Sequence, residues 1–167
     1  MNKLIRNLAV AGTVLALAGA AAFSLRGNEV APTVSYTLLD GSKHSTAELK
    51  GKVTLVNFWA TSCTTCMKEM PELVETHKKY APKGYETLSV AMKYDPPAYV
   101  ANYASTRQLP FKVAIDNTGE IAKQFGDVQL TPTTFVVNKK GEIVKHYVGE
   151  PDFPQLHALI EKLLAES

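Results

Sequence analysis

Apolar and polar positions along this chain switch between two periods, and the switches mark a succession of strands and helices. Val34-Ser-Tyr-Thr-Leu-Leu39 reads as a strand, and Asp40-Gly41 is a turn signal leading to a second short strand near Lys43–Ser45. Val53-Thr-Leu-Val-Asn-Phe-Trp59 is rich in β-branched and aromatic residues with no break, the pattern of a buried strand. The period then lengthens. Cys66, Met70, Leu73, Val74 and His77 recur at helical spacing while Lys68, Glu69, Glu72, Glu75 and Lys79 fall elsewhere, which predicts an amphipathic helix ending before Gly84. Tyr85–Met92 predicts the next strand, and Pro96-Pro97 opens a helix to about Gln108, since proline suits a first helical turn. Phe111–Ile115 is a short strand and Thr118–Phe125 a short helix closed by Gly126. Thr133–Asn138, the turn Lys139-Lys140-Gly141 and Glu142–Val148 make a hairpin, and Leu156, Leu159, Ile160 and Leu163 give a final helix its apolar stripe. The order ββ-βαβαβαββα predicts a layered α/β fold, a central mixed sheet flanked by helices with an N-terminal hairpin.

The first 26 residues follow another pattern. Lys3 and Arg6 precede the apolar run Leu8–Leu25, and no charge intervenes before Arg26. A basic start, an apolar stretch and then small residues form an export signal, and Ala18–Ala20 and Ala20–Ala22 offer the small-x-small arrangement that cleavage needs. As a helix the run would span ~27 Å at ~1.5 Å per residue, close to the ~30 Å hydrocarbon core, so a retained membrane anchor fits as well. No cysteine follows the run, which excludes lipid modification at a cleavage-site cysteine. The flanking Lys3 and Arg6 place the N-terminus inside. That puts the remainder in the periplasm or otherwise outside the cytoplasm, where disulfides persist. Residues 27–33 read as a linker and 34–167 as one folded domain.

Charge narrows the field of partners. Of 18 basic residues Lys3 and Arg6 belong to the leader, so the remainder balances its 16 acidic residues. A neutral domain carries no electrostatic footprint for nucleic acid. Apolar residues make up 46% and charged residues 20%, which excludes a disordered chain or a multi-span membrane protein.

The only two cysteines stand in Cys63-Thr64-Thr65-Cys66, after a strand and at the opening of a helix. There the unpaired N–H groups and the helix dipole favour a thiolate at Cys63. Cys66, one turn inside, is more sheltered. The asymmetry assigns attack on a partner's disulfide to Cys63 and resolution of the mixed disulfide to Cys66. A zinc site usually takes four ligands, and no second cysteine pair exists. Of His44, His77, His146 and His157, even His77 on the same helix lies ~16 Å from Cys66 at ~1.5 Å per residue. The sequence therefore calls for no metal and no cofactor.

Asn57-Phe-Trp-Ala-Thr-Ser-Cys-Thr-Thr-Cys-Met-Lys-Glu-Met-Pro71 resembles the active-site segment of the thioredoxin superfamily, and more narrowly its extracytoplasmic TlpA-like branch with the ResA and cytochrome c maturation reductases. Leu130-Thr-Pro-Thr-Thr-Phe-Val-Val137 resembles that branch's second landmark. The resemblance implies a thioredoxin-like fold and a Cys63–Cys66 redox disulfide. It also implies a cis bond before Pro132, facing the cysteines, with the Thr131 N–H and C=O offered to an extended substrate segment. Trp59 matches an aromatic residue beneath the site, although core packing accounts for it too, and Pro71 matches a helix kink. Thioredoxin has a buried aspartate where this chain has Asn57, and Glu69 matches an active-site glutamate of the ResA type that tunes cysteine acidity or relays a proton. A solvated glutamate on the helix surface satisfies the same spacing.

The implied activity is reduction of disulfides in exported proteins, such as the heme-attachment cysteines of apocytochrome c or a disulfide in an assembly factor, with a membrane thiol–disulfide carrier as electron donor. Ser62 and Thr65 stand where many members have tryptophan and proline, which leaves disulfide oxidation or isomerisation open. Copper delivery by the two thiolates is a third alternative. A peroxide-reducing relative would carry threonine where Ala60 stands.

Overall fold

The computed structural model describes residues 28–166, and the expected leader lies outside them. The centre of the fold is β4, Val53–Trp59, buried at every position. It pairs in parallel with β5, Tyr85–Ala91, and antiparallel with β7, Thr133–Val137. With β1 (Glu29–Val30), β6 (Lys112–Ile115) and β8 (Glu142–Val148) these make a six-stranded mixed sheet in the order β1-β8-β7-β4-β5-β6. A separate two-stranded hairpin joins β2, Ser35–Thr37, to β3, Lys43–Ser45. Two parallel strands need a crossover, and between β4 and β5 it is α1, Thr64–Tyr80.

Side chains of β4 alternate between two cores, as a strand's period of two requires. Val53, Leu55 and Trp59 face one, with Met70, Leu73 and Tyr80 of α1, Val100 of α2 (Pro97–Thr106) and Leu156, Ile160 and Leu163 of α4 (Phe153–Ala165). Val56 and Phe58 face the other, with Phe125, Phe135, Tyr36 of the hairpin and Ile121 of α3 (Glu120–Gln124). Asn57 shares the parity of Leu55 and Trp59, so its amide is directed at the α1 side. That places a polar side chain among the largely apolar residues of that layer.

The expected order of elements is the observed one from β2 onward, with differences at its margins. Glu29–Val30 falls within the segment read as a linker, yet it pairs with Ile143 and Glu142 at the start of β8. The strand expected over Val34–Leu39 contracts to Ser35–Thr37, and Leu38 instead bridges to Ala114 beside β6. The helix expected from Thr118 starts at Glu120, where the Asp116 carboxylate accepts the N–H groups of Ile121 and Ala122. Among the described residues no helix is long and apolar enough to cross a membrane.

Candidate active site

The cysteines occupy the point where β4 gives way to α1. After Trp59 the chain turns, with the Cys63 N–H donating to the Ala60 carbonyl at 3.1 Å, and Cys63 becomes the N-cap of α1. An N-cap side chain accepts an orphan N–H of the first turn. Here the Cys63 sulfur accepts from the Cys66 N–H at 3.1 Å. Cys63 and Cys66 are joined as a disulfide with Cα atoms 5.2 Å apart. Cys66 has no exposed surface, whereas Cys63 is half-buried at the edge of the same core. A thiolate formed at Cys63 on reduction would stand at the positive end of α1 with that N–H already aimed at it. α1 continues through Pro71, which removes the N–H that would have bonded the Met67 carbonyl.

Glu69 does not lie on the solvated face of α1; it is 0% exposed. One turn beyond Cys66, it shares that residue's inward aspect. Its Oε1 accepts from the Asn57 amide at 2.9 Å, and the same Asn57 nitrogen donates to the Thr134 hydroxyl at 3.0 Å. Asn57 pairs with Thr134 in the β4–β7 register, so the three side chains link helix and both strands through one amide. Burial pushes the Glu69 carboxyl up to about 7; the Asn57 hydrogen bond opposes the shift and the negative charge of Glu150 adds to it. No protein donor among the described residues reaches its Oε2, so little offsets the loss of water. The result is a carboxyl group that exchanges a proton near neutral pH beside the sheltered cysteine.

The Thr131–Pro132 bond is cis. The register Phe58↔Thr133 carries Pro132 to the level of Trp59, the end of the sheet from which the cysteine turn departs. Pro132 is buried, and its carbonyl accepts the Gly149 N–H at 2.8 Å. Thr131 is half-buried, and among the described residues neither its N–H nor its C=O enters a hydrogen bond within the protein. Its hydroxyl lies 3.3 Å from the Tyr94 hydroxyl. Tyr94 is 55% exposed and Leu130 64%, so apolar surface borders this segment. Trp59 is fully buried, with its ring 5.5 Å from that of Tyr103. It forms part of the floor and has no surface with which to touch a substrate in this oxidised form.

The histidines are dispersed: His77 packs between Tyr85 and Phe111, His146 stacks on Phe135, and His157 meets Thr76. Among the described residues no three His, Cys, Asp or Glu side chains gather as a set for a metal ion. Two residues near the cysteines carry little signal in the sequence. Thr134 follows from Asn57 only once the β4–β7 pairing is known, and Asp95, before Pro96-Pro97, reads as an ordinary helix-opening residue.

The chain matches the Redoxin family over residues 25–160. The thiol-disulfide oxidoreductase ResA of Bacillus thuringiensis subsp. konkukian (strain 97-27) is 38% identical to it over 133 residues, which cover 80% of this chain and 76% of that protein. The thioredoxin-like protein YneN of Bacillus subtilis (strain 168) is 34% identical over 126 residues, 75% of this chain and 73% of that one. In the crystal structure of a thiol:disulfide interchange protein of the thioredoxin family from Chlorobium tepidum TLS, the fold superposes with a TM-score of 0.76 at 29% identity, over 83% of this chain and 98% of that chain. A thioredoxin-like sheet with a cysteine pair at the mouth of its first long helix thus has its counterpart in named enzymes, and the chain belongs to the Redoxin family as a ResA-like thiol–disulfide oxidoreductase.

Proposed function

We propose that the protein reduces disulfides in exported proteins outside the cytoplasmic membrane, with Cys63 as the attacking thiol, Cys66 as the resolving thiol and Glu69 as the proton acceptor for Cys66. The observation that carries the reading is the difference between the two sulfurs: one sits half-buried at the N-cap, the other fully buried one turn away beside a buried carboxyl. In the dithiol form the Cys63 thiolate attacks one sulfur of the partner's disulfide; the partner's other sulfur leaves as a thiolate and takes up a proton. The Cys66 thiol passes its proton to Glu69 and attacks the Cys63 sulfur. The mixed disulfide breaks, the partner's second sulfur departs and is protonated, and Cys63–Cys66 is left oxidised. Two electrons pass to the partner in each cycle.

Thr131 supplies the docking edge. Its unengaged N–H and C=O suit an extended segment added as a strand, and Pro132 keeps that edge beside the cysteines. The placement outside the cytoplasm rests on Lys3, Arg6 and the apolar run 8–25, as export signal or anchor. Regeneration of the dithiol there calls for a membrane thiol–disulfide carrier as donor. The heme-attachment cysteines of apocytochrome c or an assembly factor are the substrates this placement suits. Equilibration with glutathione tests the direction of electron flow. A potential near that of thioredoxin, about −270 mV, is expected, whereas one near that of DsbA, about −120 mV, would make the protein an oxidant.

A further inference from the structure

The loop that leaves β5 is tied to the turn that carries Cys63. The Met92 N–H donates to the Trp59 carbonyl at 2.9 Å, and the Asp95 N–H to the Met92 carbonyl at 2.9 Å. Asp95 is 2% exposed. One of its carboxylate oxygens accepts the Thr61 N–H at 2.6 Å and the other the Thr61 hydroxyl at 2.5 Å. An aspartate just ahead of a helix ordinarily caps it. Asp95 does not: α2 begins after Pro96 with no side-chain cap, and both Asp95 oxygens turn the other way, onto the residue two before Cys63. Hydrogen bonds to a carboxylate are roughly twice as strong as neutral ones, and this pair grips one residue from its backbone and its side chain together. The neighbouring Tyr94 reaches the opposite border, its hydroxyl 3.3 Å from that of Thr131.

We propose that Asp95 is a positioning residue for Cys63: acting through Thr61, it fixes the turn that sets the Cys63 sulfur against the Cys66 N–H. The proposal rests on the reading of Cys63 as the attacking thiol. With the turn held, the sulfur stays at the N-cap whether or not the disulfide is closed. With the turn released, the thiolate spends part of its time away from the N–H and the helix dipole.

The test follows the pH dependence of Cys63 alkylation by iodoacetamide in the full chain with Cys66→Ser, so that a single thiol reports. Thr61→Val removes the hydroxyl donor and leaves the Asp95 charge in place. It is expected to raise the midpoint and slow alkylation at neutral pH about three- to tenfold, the factor carried by one net hydrogen bond. Thr61→Ser, which keeps both donors, is expected to restore the parent midpoint. If Asp95→Asn folds, adding Thr61→Val to it should change the rate less than about twofold, because residues acting through one contact are not additive. An unchanged midpoint in Thr61→Val, even with lower thermal stability, would overturn the proposal and leave Asp95 a support of the fold alone, as would full additivity in the double variant. Failure of the underlying reading looks different: Cys63 of the parent itself would then react no faster than free cysteine.

Discussion

Glu69 carries a carboxyl group out of water against three elements, and its titration follows from what faces it. From β4 comes the Asn57 amide, from β7 the Thr134 hydroxyl through that amide, and from the loop after β8 the Glu150 carboxylate, itself paired with Lys68 at 2.9 Å. Burial dominates and the carboxyl titrates at about 7, above its ordinary value of 4.5. The folded state therefore holds this proton more tightly than the unfolded chain. Below about pH 4.5 both states are protonated and the group is neutral to stability. As pH rises through 7 the charge must be carried in a buried site, and stability is lost. Glu69→Gln is accordingly expected to stabilise the oxidised protein at pH 8 by up to a few kcal/mol, at ~1.4 kcal/mol per pH unit, with the gain vanishing below pH 4.5; urea melts at the two pH values measure it. The same variant is expected to slow resolution of a Cys63 mixed disulfide about 10²-fold, the low end of what a general base supplies, and to erase the inflection near pH 7 in that step. A flat difference in stability across pH, with resolution unimpaired, would reduce Glu69 to a packing residue.

The helix that bears these groups shows what a sequence pattern conveys and what it omits. Leu73 lies in the apolar stripe of α1 and is fully buried, and Glu72 beside it is exposed, as spacing alone predicts. Leu73→Ala is expected to cost about 2–5 kcal/mol and Glu72→Ala less than about 0.5 kcal/mol, both read from denaturant midpoints. Glu69 and Thr76 stand three residues beyond Cys66 and Leu73, on the buried side by spacing, and it is their polar side chains that hide this in the sequence. Their partners, Asn57 for one and His157 of α4 for the other, arrive from distant parts of the chain. The unbroken run of β4, the turn at Asp40-Gly41 and the cysteine spacing are local and were readable. Glu29–Val30 were not, because two residues carry no period and owe their strand to the start of β8. Asp95 falls between the two cases, since its residue type announces a cap and only the tertiary fold turns it toward Thr61.

The sheet order brings these parts to one place. β4 ends in the cysteine turn, β7 begins just after Pro132, and their antiparallel pairing sets those two ends side by side. β5, parallel to β4, releases its loop at the same end, which lets Asp95 and Tyr94 reach the two borders of the site. The cysteine turn, the Thr131–Pro132 bond and the loop bearing Asp95 thus leave the sheet at one end, and the account depends on the half-buried sulfur attacking while the fully buried one resolves. Incubating reduced Cys66→Ser and Cys63→Ser variants with a disulfide-containing protein and resolving the products without reductant tests that division directly. The expected result is a stable covalent adduct on Cys63 in Cys66→Ser and none in Cys63→Ser. Equal capture by both variants, or capture by Cys66 alone, would contradict it.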